Sequence, residues 1–226
     1  MNIVVSGASR GIGKAVAQYL DQTGHNVLAI ARSKGSLEEL LKQTKNIEVL
    51  IADLGKEESK TGVTEFLQKG FKVDVLINNA GQLINKSFLE CSSEDFLNQF
   101  QANVLSAVHL TQACLPYFNK GAHIVNISSM GGFQGSSKYP GLSAYSSTKG
   151  ALAILTECLA SELTDYGVSV NALALGAVET EMLQKAFPNV KAPLTAEQMA
   201  TFISDFALKA ATFCNGKIMP VALSNP

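Results

Sequence analysis

The chain has 226 residues, with 18 Lys and Arg against 19 Asp and Glu, a formal charge of −1 and 46% hydrophobic residues. That length suits one α/β domain, read here as residues 1–226, whose core needs neither disulfides nor a metal. Without a basic excess or a run of Lys or Arg, nucleic acid and anionic membrane surfaces are poor partners. The start, Met1-Asn2-Ile3-Val4-Val5, lacks the basic and long apolar parts of a signal peptide. No stretch reaches the ~20 apolar residues of a spanning helix. The cysteines, Cys91, Cys114, Cys158 and Cys214, are scattered without metal-ligand spacing. They read as reduced thiols, and the expected compartment is the cytoplasm.

Along the chain, β-branched runs predict strands at residues 3–6, 27–31, 48–52, 73–78, 122–128, 169–173 and 217–221. Apolar residues at helical spacing predict helices at 12–22, 36–43, 57–69, 94–118, 145–166 and 195–211. Several strands are nearly continuous apolar runs, the pattern of strands covered on both faces. Strand and helix alternate with room for right-handed crossovers. The expected fold is therefore α/β: a doubly wound parallel sheet of the Rossmann type, about seven strands with helices on both faces. In such sheets ligands bind beyond the carboxyl ends of the strands.

The first predicted strand runs into Ser6-Gly7-Ala8-Ser9-Arg10-Gly11-Ile12-Gly13, and a helix follows. Glycines there permit a tight turn, backbone approach to a ligand and close helix packing. The helix N-terminus offers free N–H groups and partial positive charge to a pyrophosphate. A P-loop is excluded, because Lys14 is followed by Ala15 and not by Ser or Thr. Gly141-Leu142-Ser143-Ala144 begins like a nucleophile elbow but ends in Tyr145 where glycine is required. At the end of the second strand, Leu28-Ala29-Ile30-Ala31-Arg32-Ser33 holds no acid for the ribose hydroxyls of NAD. Arg32 and Arg10 suit a ribose phosphate instead, so NADP(H) is expected over NAD(H). The alternative for Arg32 is an ordinary solvated charge.

With these residues in place, the chain resembles the short-chain dehydrogenase/reductase family in its single-domain subgroup. The glycine loop is similar to that family's TGxxxGxG, with Ser6 for threonine. Ala52-Asp53-Leu54 resembles its adenine-capping turn, and Asn78-Asn79-Ala80-Gly81 its NNAG signature. Asn103, Ser129, Tyr145 and Lys149 fall on its catalytic positions, and the likeness extends to about Met182. Leu175-Gly176 stands where the family often has Pro-Gly, which implies a changed closure of the nicotinamide pocket.

The resemblance implies a nicotinamide-dependent oxidoreductase acting on a carbonyl or alcohol, most often as a reductase. Tyr145 would exchange the proton. Lys149 would lower the tyrosine pKa from its usual ~10 and bind the ribose. Ser129 would polarise the substrate oxygen, and Asn103 would position a water relaying protons from Lys149. Gly7, Ser9, Arg10, Gly11, Ile12, Gly13, Arg32, Asp53, Leu54, Asn79, Ala80, Gly81, Gly176 and Val178 would contact the cofactor. Pairing of the long helices at 94–118 and 145–166 would give a homodimer or homotetramer. Residues 130–144 and 177–194 would line an apolar substrate pocket, with any lid drawn mainly from 177–194. A non-catalytic dinucleotide sensor or scaffold is the alternative, disfavoured by the full catalytic set. His25, His109 and His123 read as isolated surface or packed residues.

Overall fold

The computed structural model describes residues 1–223; positions 224–226 of the expected single unit lie outside the described residues. In chain order the elements are β1 (Asn2–Ser6), α1 (Gly11–Gln22), β2 (Asn26–Ala31), α2 (Lys34–Leu41), β3 (Ile47–Ile51), α3 (Ser59–Leu67) and β4 (Val73–Asn78). Then come α4 (Ser93–Phe100), α5 (Ser106–Cys114), β5 (Phe118–Ser129), α6 (Ser143–Glu162) and β6 (Ser169–Leu175). The chain closes with β7 (Val178–Glu179), α7 (Glu181–Ala186), β8 (Leu194–Thr195), α8 (Ala196–Lys209) and β9 (Ile218–Val221).

Seven strands form one parallel sheet in the order β3-β2-β1-β4-β5-β6-β9, and β7 pairs with β8 separately. This is the doubly wound Rossmann sheet that alternating strands and helices imply. Alternate residues of each central strand feed opposite cores. Val5, Ile77 and Val125 pack with Val16 and Leu20 of α1 and Ile203 of α8. Val4, Leu76 and Ile124 pack with Val63 of α3 and Leu110 of α5. Strand order reverses between β1 and β4, so loops after these two strands part and leave a crevice there.

Two expectations need correction. The span 94–118 is not one helix. Regular α4 gives way to a π-helical turn, Gln101–Leu105, then α5, then a short 3-10 turn at Leu115–Tyr117 with proline at its start, and β5 begins at Phe118. Pro116 donates no backbone hydrogen bond and cannot continue an α-helix. Between β6 and α8 the chain also builds β7, α7 and β8, elements too short to carry a periodic signal. Other ends shift by a few residues: α2 is 34–41 against 36–43, and β6 runs on to Leu175.

Candidate active site

A cavity of about 760 Å³ opens at the carboxyl ends of the sheet. It is lined by every residue expected of the site except Asn103. The strand order divides it. The glycine loop follows β1, Arg32 follows β2 and Asp53 follows β3, so these residues make one half. Loops after β4, β5 and β6 make the other.

The first half is shaped by backbone contact. Gly7 adopts φ +68°, and a Cβ on it would stand 2.9 Å from the Ala80 Cα. A Cβ on Gly13 would collide with the Gly7 carbonyl and the Asn79 side chain. Ser6 explains how loop and β4 are held together. Its Oγ accepts hydrogen bonds from the backbone N–H of Asn79 (2.9 Å) and Ala80 (3.0 Å), while Asn79 Nδ2 donates to the Ser6 carbonyl at 3.0 Å. Asn79 thus acts here as a brace for the glycine loop. Helix α1 has neither a capping side chain nor an acidic residue in its first turn. Its N-terminal N–H groups face the cavity with their partial positive charge available. Cradle and bare helix end together fit a dinucleotide pyrophosphate.

Arg32 is exposed on the rim and has no hydrogen-bond or ion-pair partner among the described residues. Arg10 is engaged: its guanidinium meets the Glu181 carboxylate at 3.4 Å across the mouth. Asp53 Oδ1 accepts from Gly55 N–H at 3.2 Å, and the buried Leu54 carbonyl meets the His109 ring at 3.0 Å. Gly176 N–H donates to the Val221 carbonyl at 2.9 Å, and a Cβ on Gly176 would press on Ala222. The glycine after β6 therefore lets β9 approach; the wall beside it comes from Val178 and Thr180.

In the second half, Tyr145 and Lys149 project from one face of α6, with the Lys149 ammonium 5.8 Å from the phenol ring centre. Lys149 is buried, and Nζ donates to the Ile127 carbonyl at 2.8 Å. Burial among uncharged groups lowers its pKa to about 8. At Tyr145 burial pushes the pKa up, and the neighbouring Ser129 hydroxyl pulls against that rise. Desolvation of the phenolate outweighs the other influences on the ring, so Tyr145 holds its proton. Of the two serines ending β5, Ser129 is the one that meets Tyr145. Ser128 is buried and donates to the Lys149 carbonyl at 2.9 Å.

Asn103 sits in the π-turn with its amide fully employed. Oδ1 accepts from Gln82 N–H at 2.7 Å, and Nδ2 donates to the Gln82 carbonyl and to Thr148 Oγ1. Its side chain ties the loop after β4 to α6, and its Oδ1 and the Lys149 Nζ both border Gly81. Widened turns of this kind recur at functional sites. Sequence reasoning passed over Ser6 Oγ, Ser128, Thr148 and Gln82, which act through backbone atoms. The hydroxyls flanking the recognised positions, Ser128 before Ser129 and Thr148 before Lys149, were the available signal.

A family model described as short chain dehydrogenase matches residues 1–191. Carbonyl reductase [NADPH] 2 of Sus scrofa is 36% identical over 186 residues, covering 80% of this chain and 73% of that protein. An uncharacterised oxidoreductase of Staphylococcus epidermidis is 29% identical over 201 residues, covering 87% and 86%. Among solved structures, a putative gluconate dehydrogenase from Agrobacterium tumefaciens superposes with a TM-score of 0.87 at 23% identity, covering 98% of this chain and 94% of that one, a likeness of fold. The chain belongs to the short-chain dehydrogenase/reductase family, oxidoreductases that interconvert CH–OH and C=O groups with a nicotinamide cofactor.

Proposed function

We propose that this protein is an NADP(H)-dependent reductase of carbonyl compounds. The observation that carries the reading is the convergence of Ser129, Tyr145 and Lys149 on one cavity wall, with the Lys149 ammonium 5.8 Å from the Tyr145 ring centre. When bound, a reduced nicotinamide supplies hydride to a carbonyl carbon. Ser129 orients the carbonyl oxygen, and Tyr145 gives that oxygen its phenolic proton. One hydride and one proton convert C=O to CH–OH. Lys149 keeps a cation beside the phenolate that Tyr145 becomes, and Ser128 and Ile127 fix where that cation stands. Asn103 acts as a positioning residue, holding Gln82 beside Gly81.

The NADP preference is supported by Arg32, which borders the cavity without a protein partner and with no acid at the end of β2. The name of the Sus scrofa relative points the same way. The reading includes a single working domain over residues 1–226 in the cytoplasm. No helix among the described residues is long and apolar enough to cross a membrane. It also includes a homodimer or homotetramer, supported by exposed Leu97, Leu105 and Ile154 on the adjoining α4, π-turn and α6.

The experiment is a titration with NADPH and NADH by nicotinamide fluorescence, followed by turnover with a broad carbonyl panel. Tyr145→Phe is expected to keep cofactor binding and lose about 100-fold or more in kcat. Arg32→Ala is expected to weaken NADPH about tenfold or more and leave NADH nearly unchanged. Equal affinities insensitive to Arg32 would refute the NADP assignment; intact turnover in Tyr145→Phe would refute the proton donor.

A further inference from the structure

Which carbonyls the second half of the cavity accepts follows from where its charged side chains are committed. The walls beyond Ser129 and Tyr145 are apolar: Leu83 after β4, Leu142 before α6, and Met182, Leu183, Phe187 and Val190 on and after α7. The sequence nevertheless puts Lys138, Glu179, Glu181 and Lys185 in these same loops, and any of them is a candidate for gripping a charged substrate.

The structure spends three of the four elsewhere. The Lys138 ammonium donates to the Phe133 carbonyl and Ser136 Oγ, both at 2.6 Å, and approaches the Met130 carbonyl at 3.5 Å. It ties its own loop together, as does Ser136 through Met130 and Phe133. Glu179 accepts from Gln184 Nε2 at 2.6 Å and from Ala192 N–H at 3.1 Å, and does not line the cavity. Glu181 pairs with Arg10 at the mouth. Lys185, the fourth, is exposed and not part of the lining. Polar groups that remain on this side, the Gln82 amide and the Tyr139 phenol, carry no charge.

Among the described residues this half of the cavity therefore presents no uncommitted cation beyond the Lys149 of the catalytic group. A carboxylate or phosphate entering it would shed water without gaining a partner, since the Arg10 guanidinium at the mouth is already paired with Glu181. A polyhydroxylated substrate would strand its hydroxyls against Leu, Met and Phe. Apolar carbons, in contrast, gain by leaving water.

We infer that the substrate is an uncharged, apolar ketone or aldehyde whose hydrocarbon part lies against Leu142, Leu183 and Phe187, and not a keto acid, a phosphorylated carbonyl or a sugar. The inference rests on the reading of the site as a carbonyl reductase. Its test is arranged to separate the two.

The probes are 4-acetylbenzoate and its methyl ester, which share one ketone and differ in a remote charge. A straight series of methyl ketones from 2-butanone to 2-nonanone and the ketose fructose complete the set. NADPH oxidation is followed for the wild type and Leu183→Arg. The ester is expected to exceed the acid at least tenfold in kcat/KM. The methyl ketones should gain about threefold per added methylene until the pocket is full, and fructose should be inert. Leu183→Arg supplies the missing cation and should narrow the ester-to-acid ratio by tenfold or more. A wild type that reduces the acid as well as the ester, or prefers fructose, overturns the inference and leaves the reductase reading standing. Binding of NADPH with no turnover of any carbonyl overturns both.

Discussion

At the β1 end of the cavity the walls are main chain pressed on main chain. Gly7 lies against Ala80, Gly13 lies under the Gly7 carbonyl, and Ser6 Oγ binds two consecutive N–H groups of the β4 loop. In the other half the walls are side chains on segments after β4, β5 and β6 fastened by polar ties, many of them at the surface. Lys86 meets Asp95 at 2.7 Å, and that ion pair with Ser92 holds the aspartate at about 2. Asn85 Nδ2 donates to the Ala186 carbonyl, and Glu179 ties the segment after α7. Backbone packing leaves no room for another side chain, whereas polar ties between loops do not dictate which apolar residue sits between them. One half can serve a single fixed ligand while the other varies with the substrate.

The largest effect should come from adding one methyl group to the first half. Gly13→Ala must displace the Gly7 carbonyl or the Asn79 brace, since the new Cβ overlaps both. It should cost about 1–3 kcal/mol in stability and about 100-fold in turnover from the displaced loop. Gly62→Ala is the control: it lies within α3 with nothing inside 4 Å of its Cβ, and should be neutral or stabilising by up to about 1 kcal/mol. Thermal melts and NADPH titrations of the pair decide it. Equal behaviour of the two variants would mean that the loop yields and the contrast between the halves is overstated.

That contrast also explains what was readable in the sequence. Close approach of backbones demands glycine at 7 and 13, and the positive φ of 53° at Gly11 favours it there, so the loop declares itself by residue type and spacing. The seven parallel strands were readable because each is a short apolar run between helical patterns. The π-turn around Asn103 was not, since one widened turn leaves apolar spacing nearly intact; only Pro116 marked a break in the long helix, further on. Nor could residue identity say that Lys138 and Glu179 turn back on their own loops, because side-chain partners of surface charges depend on tertiary placement. The burial of the Tyr145 phenol was not readable for a related reason. Spacing brings Lys149 to it but says nothing of the burial that raises its pKa.

Lys149, buried in the second half, should reveal itself by stability as well as rate. Its pKa of about 8, against the ordinary 10.5, means the folded protein binds this proton more weakly than the unfolded chain does. The resulting cost, about 3 kcal/mol, is fully present below pH 8 and fades as pH rises toward 10.5. Lys149→Met should therefore be more stable than wild type at pH 7, by up to that amount, while losing nearly all activity. The gap should close between pH 8 and pH 10.5. Wild-type kcat/KM for reduction should fall above pH 8, as the ammonium is lost before Tyr145 releases its own proton. Denaturant melts at pH 7 and pH 10 measure the first claim. A methionine variant less stable than wild type at both would show that the bond to Ile127 outweighs the burial of charge.

The smallest effect concerns the one ion pair that joins the halves among the described residues. Arg10 and Glu181 are both well exposed, so their pairing contributes at most about 1 kcal/mol to stability, and Glu181→Gln should leave the melting temperature within a degree or two. Its consequence lies in what Arg10 is then free to do. A guanidinium held by a carboxylate must exchange that partner to bind a ribose phosphate, and the exchange subtracts the worth of the pair from the affinity. Removing the charge of Glu181 should strengthen NADPH binding by up to about fivefold, since the pair is worth no more than about 1 kcal/mol. NADH, without the phosphate, should be unaffected. Arg10→Ala in the Glu181→Gln background should erase the gain. If NADPH and NADH affinities rise together, Glu181 acts by restraining α7 over the whole cavity, and Arg32 alone must account for the phosphate.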